Sequence, residues 1–292
     1  MCVLVRAELS RHVLLKARQF EFVFPRPTLV MGVLNVTPDS FSDGGRFLEP
    51  EAAVRRGLEM VEEGADIIDI GGESTRPHAA PVSQEEELGR VLPVIKRLTA
   101  VVNVPLSIDT MKVEVARAAL GAGVSIVNDV AANRADETMW RLVGESGAGY
   151  VCLHMQGTPA TMQTNPAYTN VVAEVEEFFR ERLSRLGSCG VEINRIILDP
   201  GIGFGKGIEH NLELLGSLKR LARLDRPLLL GVSRKSFLGK VTGAEPKQRL
   251  AGALACACLA VQDGVRLIRT HDVAETVQAV RMTEAVLSHR KE

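Results

Sequence analysis

The chain has 292 residues, 46% of them hydrophobic, and its 35 Lys and Arg against 36 Asp and Glu give a formal charge of −1. That is enough apolar material for one large core, and the charge balance excludes the basic excess expected of a protein that lives on nucleic acid or an anionic membrane. Five cysteines without a CxxC spacing argue against a disulfide framework or zinc knuckle, the longest apolar stretch (250–261) is too short to cross a bilayer, and the first residues lack a signal-peptide core, so the sequence reads as cytoplasmic.

Alternation over Gln19-Phe20-Glu21-Phe22-Val23-Phe24 predicts a strand or hairpin within an N-terminal extension, 1–24, that covers the floor of the domain formed by 25–292. From there short apolar runs alternate with helical patterns. The first buried strand is 28–36, followed by a helix that starts near Pro50. Strand 66–70 precedes a helix over 84–102, whose opening Glu85-Glu86-Glu87 is explained by the helix dipole. Next come 106–108 with the helix 112–120, and 125–127 with the helix 136–145. The run 150–153 is followed by a long loop and the helix 171–186. Strand 195–198 precedes the helix 211–224, 228–232 precedes 249–261, and 267–268 precedes 273–287. That last helix sets Val273, Val277, Val280 and Leu287 in one stripe. Strands that are apolar throughout are parallel strands buried on both faces. Eight such units predict a (β/α)8 TIM barrel with a short N-terminal hairpin. The other arrangement, a doubly wound open sheet, announces itself with a Gly-rich first turn, and here Asn35-Val36-Thr37-Pro38-Asp39-Ser40-Phe41 holds no glycine.

Each apolar run stops on a polar group: Asn35, Glu73-Ser74-Thr75-Arg76, Asp109, Asn128-Asp129, His154-Met155, Asp199, Ser233-Arg234-Lys235, then Arg269 and His271. Helix capping explains any one of these, but not all eight on the rim where barrel sites lie. Asp109, Asn128 and Asp199 offer acceptors and Lys235 a donor, matching a flat heterocycle with a donor edge and a carbonyl, such as a pterin. Arg76, Arg269 and His271 suit an anion, and Asn35 suits Mg2+, which takes few protein ligands when phosphates supply the rest. The run 199–207 fails both the dinucleotide and the Walker A patterns, so its glycines are read as a flexible turn that lets backbone approach a ligand. With neither GxSxG nor HExxH present, covalent hydrolase and zinc chemistry are set aside, and His154 is read as a core residue.

As a set, these motifs are those of a known family. Met31-Gly32-Val33-Leu34-Asn35-Val36-Thr37-Pro38-Asp39-Ser40-Phe41-Ser42-Asp43-Gly44-Gly45 resembles the first signature of dihydropteroate synthases, and Gly71-Gly72-Glu73-Ser74-Thr75-Arg76-Pro77 the second. Ser107-Ile108-Asp109-Thr110, Asn128-Asp129, His154-Met155, the run 199–206, Ser233-Arg234-Lys235-Ser236 and Arg269-Thr270-His271-Asp272-Val273 follow in order. The resemblance covers about residue 20 to the end. It implies a transferase that condenses 6-hydroxymethyl-7,8-dihydropterin diphosphate with p-aminobenzoate, and a homodimer as the assembly. It also implies roles. Asp109, Asn128, Asp199 and Lys235 would hold the pterin between Met155 and Phe204, and Asn35 would ligate Mg2+. Thr75, Arg269 and His271 would bind the diphosphate region. The loops carrying Asp39 and Phe41, and Thr75, Arg76 and Pro77, would close over the substrates, and Phe41, Pro77, Lys235 and Ser236 would shape the p-aminobenzoate site. Two positions depart from the pattern: His78 stands in place of a usual Gly, and Thr270 sits inside the usual Arg-Val-His-Asp.

Overall fold

The structure, a computed structural model, describes residues 12–37, 49–74, 81–132, 136–159 and 161–290. Its first elements are an antiparallel hairpin, β1 (Val13–Ala17) and β2 (Phe20–Phe24), with Val13 opposite Phe24 and Ala17 opposite Phe20. Leu15, Ala17, Phe22 and Phe24 all face one side, because successive strand residues point to opposite faces. That side is buried, while Glu21 and Val23 face water.

Eight parallel strands follow among the described residues: β3 (Leu29–Asn35), β4 (Ile67–Gly71), β5 (Leu106–Asp109), β6 (Ile126–Asp129), β7 (Gly149–Leu153), β8 (Ile196–Asp199), β9 (Leu229–Gly231) and β10 (Leu267–Thr270). Their order is β8-β7-β6-β5-β4-β3-β10-β9. A parallel bridge between Leu198 and Leu228, with Leu198 N–H donating to the Pro227 carbonyl at 3.0 Å, brings the two ends together into a nearly closed barrel. Around it lie α1 (Glu49–Glu62), α2 (Gln84–Thr99), α3 (Val113–Gly121), α4 (Thr138–Ser146), α5 (Val171–Ser188), α6 (Ile208–Leu215), α7 (Leu218–Leu221), α8 (Ser236–Thr242), α9 (Leu250–Gln262) and α10 (Val273–Ser288). Ser83 Oγ caps α2 by accepting from Glu86 N–H at 3.1 Å, and Asn170 caps α5 through Ala173 N–H.

Strand alternation divides the apolar residues into two cores. Val30, Leu34, Ile68, Ile108, Val127, Leu198 and Ile268 face outward and pack under helical residues such as Ile95, Val143 and Phe179. Met31, Ile67, Ile126, Val151, Ile197, Leu229 and Leu267 face inward near the strand beginnings and join the hairpin residues Leu15, Ala17, Phe22 and Phe24. The hairpin thus closes the floor of the barrel, as its alternation predicts, and the open end lies at the strand C-termini.

Three details differ from the sequence expectation. The helix read over 211–224 starts at Ile208 and breaks at Gly216 and Ser217 into α6 and α7, since both residues are poorer helix formers than their neighbours. A further short helix, α8, begins directly after Lys235. Glu87 does more than oppose the dipole of α2: it is fully buried, and Lys112 Nζ donates to it at 2.6 Å and to Glu73 at 2.6 Å. In α10 the expected stripe holds, with Val273 and Val280 buried and Val277 and Leu287 packed against the same core.

Candidate active site

Strand register sets the polar residues in tiers above the apolar floor. Asn35, Gly71, Asp109 and Asn128 are successive register partners across β3, β4, β5 and β6, and one step deeper so are Val33, Asp69 and Ser107. Arg269 crosses the interior to join them. Its Nε donates to Asp69 Oδ2 at 2.7 Å and its second terminal nitrogen to Asp109 Oδ2 at 2.6 Å. Asn128 Nδ2 donates to the same Asp69 oxygen at 2.9 Å. Burial alone would lower the pKa of Arg269, but Asp69 and Asp109 outweigh it and hold the guanidinium firmly charged.

Each acid keeps an oxygen for something else. Asp69 Oδ1, Asp109 Oδ1, Asn128 Oδ1 and Ser107 Oγ are buried and, among the described residues, meet no hydrogen-bond partner. Buried polar atoms in that condition are rare because they cost roughly 1–3 kcal/mol each. Three of the four are oxygens of acidic or amide side chains, so the interior is shaped for a ligand that presents N–H groups. Burial raises the pKa of Asp109 to about 7 against the opposing pull of Arg269. Burial also raises that of Asp199, opposed first by Lys235 and then by the Gly201 N–H that donates to Asp199 Oδ1 at 2.7 Å.

The walls beside these acceptors are apolar. Met155 is buried with Val130, Leu153 and Met162, and Phe204 and Met111 pack against them. Lys235 Nζ lies 4.6 Å from the centre of the Phe204 ring and donates to the Ile202 carbonyl. Burial lowers its pKa to about 8, with Asp199 opposing. Ser236 is the first residue of α8 and is exposed. Beyond β10, His271 Nδ1 lies 3.0 Å from Ser233 Oγ, and its Nε2 lies 3.5 Å from Asn35 Nδ2. The structure therefore draws Asn35, Asp109, Asn128, Met155, Asp199, Phe204, Lys235, Arg269 and His271 to one end of the barrel. Asp39, Phe41, Thr75, Arg76, Pro77 and His78 lie outside the described residues.

Several roles were not legible in the sequence. Asp69, at the centre of the network, sits inside Ile67-Ile68-Asp69-Ile70, and the one available signal is an acid two residues from an inward position of a buried strand. The glycine-rich run after β8 is a tightly packed turn. A Cβ on Gly201 would lie 1.9 Å from the His154 carbonyl oxygen, and φ there is +66°. Lys206 is buried beneath that turn, and its Nζ donates to the carbonyls of Gly201 at 3.0 Å, Phe204 at 2.9 Å and His154 at 3.2 Å. The same nitrogen meets His154 Nδ1 at 2.9 Å. Burial, then the neighbouring Lys206, pushes the pKa of His154 down to about 2, in keeping with its reading as a core residue. Asp129 points away from the site and accepts from Tyr150 OH at 2.8 Å, and that hydroxyl in turn accepts from Trp140 Nε1 at 2.8 Å. The departure at Thr270 is also accounted for: its buried hydroxyl accepts from Asp272 N–H and Thr276 Oγ1 at the start of α10.

A pterin binding enzyme family model matches residues 31–271. A dihydropteroate synthase of Escherichia coli K12 is 46% identical over 262 residues, covering 90% of this chain and 93% of its own. The dihydropteroate synthase of Xanthomonas albilineans, solved with 4-aminobenzoic acid, superposes with a TM-score of 0.89 at 47% identity, covering 96% of this chain and 100% of its own. The same enzyme solved in complex with 7,8-dihydropteroate gives 0.85 at 45% identity, covering 95% and 100%.

Proposed function

The chain belongs to the dihydropteroate synthase family, and we propose in detail how its barrel mouth joins 6-hydroxymethyl-7,8-dihydropterin diphosphate to p-aminobenzoate. The enzyme is a transferase of folate biosynthesis, releasing 7,8-dihydropteroate and diphosphate. The observation that carries the detailed reading is the set of unpaired buried oxygens on Asp69, Asp109 and Asn128. A pterin presents ring N–H and amino groups along one edge, the donors that such acceptors lack, and a carboxylate grips that fork through two parallel bonds.

In this reading Asp109, Asn128 and Asp199 accept from the pterin, Lys235 donates to it, and Met155 and Phe204 close on its faces. In the same reading Asp109 stabilises the positive charge that develops as diphosphate departs, since a charge aimed at that position in a dry site stabilises the transition state. The aryl amine is a weak base, so its attack needs orientation more than a strong general base. Phe41, Pro77, Lys235 and Ser236 orient it, Thr75, Arg269 and His271 meet the diphosphate, and the segments carrying Asp39 and Arg76 close the site. Arg269 holds Asp109 through Oδ2 alone, which leaves Oδ1 to accept from the pterin.

Mg2+ fits the diphosphate end. Among the described residues no group of three or more His, Cys, Asp or Glu could hold a metal, but Mg2+ paired with phosphates takes only one or two protein oxygens. Asn35 Oδ1 faces the Cα of Gly71 beside Asp109, where an added Cβ would lie 3.9 Å from Asn35 Oδ1 and 3.8 Å from Asp109 Oδ2. When bound, the ion would neutralise charge on the departing diphosphate.

We also propose that two copies pair through α9 and α10, where Leu259, Met282 and Val286 are 61, 65 and 49% exposed. Among the described residues no helix is long and apolar enough to cross a membrane, and the cytoplasm is the compartment proposed. Diphosphate release from pterin diphosphate, measured with and without p-aminobenzoate, tests the reaction: dependence on both compounds is expected, and release that ignores p-aminobenzoate would defeat the reading.

A further inference from the structure

We infer that Ser233 is a positioning residue: it fixes which nitrogen of His271 carries the proton and, through that ring, the orientation of the Asn35 carboxamide. The inference rests on the reading of this rim as the diphosphate end of the mouth. It follows from the accounting of one hydroxyl, which has a single proton to donate and two lone pairs that accept.

Ser233 is buried just after β9, with three polar neighbours around its Oγ. The backbone N–H of His271 donates to it at 3.3 Å, which uses one lone pair. Asp272 Oδ2 lies at 3.4 Å, and an ionised carboxylate can only accept, so the hydroxyl proton is directed there. That carboxylate is itself held by Arg234, whose guanidinium donates to the other oxygen at 2.7 Å. One lone pair of Ser233 is left for His271 Nδ1 at 3.0 Å. The contact is a hydrogen bond only if Nδ1 bears the hydrogen, and in the neutral ring that leaves Nε2 as an acceptor.

The effect passes on to β3. Asn35 Nδ2 faces His271 Nε2 at 3.5 Å, a long contact whose polarity is correct only when Nε2 is unprotonated. With its NH2 drawn to the imidazole, the amide turns Oδ1 toward Gly71 and Asp109, within 3.9 Å of a Cβ built on that glycine. The opposite tautomer would set two donors against each other and favour the flipped amide, which takes the oxygen away from the interior. Outer partners of this kind commonly fix the tautomer of a functional histidine.

Long-range proton–nitrogen NMR on the substrate-free, metal-free chain, with histidines 15N-labelled and the ring neutral, reads the tautomer directly. The wild type is expected to carry the proton on Nδ1 of His271. Ser233→Ala should move it partly or wholly to Nε2, and Ser233→Thr, which keeps the hydroxyl, should restore the wild-type pattern. In steady state Ser233→Ala should raise KM for pterin diphosphate about tenfold, the low end for loss of an outer partner, while leaving the affinity for an unphosphorylated pterin unchanged. A wild-type ring protonated on Nε2 overturns the inference whether or not the alanine variant folds, and so does an alanine variant that keeps the proton on Nδ1. Neither result touches the reaction assignment, which the wild-type diphosphate-release assay decides separately.

Discussion

Arg269 lies between two acids at the centre of the barrel, and a buried ion pair of this kind adds little net stability yet costs much when one partner is removed. Asp69→Ala would leave Arg269 leaning on Asp109 alone and strip Asn128 Nδ2 of its acceptor. The expected loss is about 3–5 kcal/mol, read as a shift of the urea midpoint in the substrate-free protein; a loss below about 1 kcal/mol would show that the network is dispensable. Asp109 makes a pH prediction. Its pKa is raised by burial from an ordinary 3.8 to about 7, so the folded chain holds a proton there that the unfolded chain has already released. The contribution of this group to stability is therefore greatest below about pH 4 and is lost as pH rises to 7. Pterin affinity runs the other way, because the ligand's donors need the carboxylate. It should weaken by up to about tenfold per unit as pH falls below 7, and Asp109→Asn should flatten that slope in calorimetric titrations. Why Asp69 stayed hidden while Asp109 did not has a physical basis. Asp109 ends its strand, where a polar residue interrupts an apolar run, whereas Asp69 lies inside one, and only register across β3, β4 and β5 shows that it faces inward.

Elements with strong periodicity were legible, and those fixed by tertiary contacts were not. The eight barrel strands and the hairpin follow from apolar runs and alternation, and α10 from its stripe of Val273, Val277 and Val280. The packed turn after β8 gave no such signal, since its form depends on residues about fifty positions earlier in the chain. Lys206 reads as an ordinary polar residue until His154 is brought over it. Lys206→Met should leave the His154 and Phe204 carbonyls short of a donor, while that of Gly201 keeps the Phe204 N–H at 2.9 Å, at roughly 1–3 kcal/mol for each that stays buried and unsatisfied. The turn also carries the Gly201 N–H that grips Asp199, and Phe204 beside Lys235. Pterin affinity should therefore fall with stability in this variant, measured by calorimetry and urea unfolding on the same preparation. A loss of stability with unchanged pterin affinity would mean that the staple supports the fold without shaping the site.

At the scale of the whole molecule, the hairpin closes one end of the barrel and leaves the other for chemistry, and the two ends obey different rules. The floor is apolar and complete; the mouth is polar and draws on several connections. Outside both lies the face of α9 and α10, where Leu259→Glu with Met282→Glu should yield monomers by light scattering if the proposed pairing holds, and no change in mass would reject it. The order of substrate binding follows from how the mouth is built. The acceptors assigned to the pterin sit on strand ends, held by the register of β5, β6, β7 and β8 and, for Asp109, by Arg269, so their geometry is set before any ligand arrives. The residues assigned to p-aminobenzoate come from three separate connections, with Phe41 after β3, Pro77 after β4, and Lys235 and Ser236 after β9. A pocket shared among three connections is assembled by what lies between them, and here that is the pterin diphosphate. Pterin diphosphate should therefore bind first. p-Aminobenzoate alone should bind weakly, and pterin with diphosphate and Mg2+ should tighten it by tenfold or more, on the order of 1.4 kcal/mol. Phe41→Ala should weaken capture of p-aminobenzoate while leaving pterin affinity nearly unchanged. The check is a pair of titrations with p-aminobenzoate, one into the empty enzyme and one into enzyme saturated with pterin, diphosphate and Mg2+. Equal affinities in the two, unaltered by Phe41→Ala, would mean that the second pocket stands complete without the first substrate and that the order is not built into the barrel.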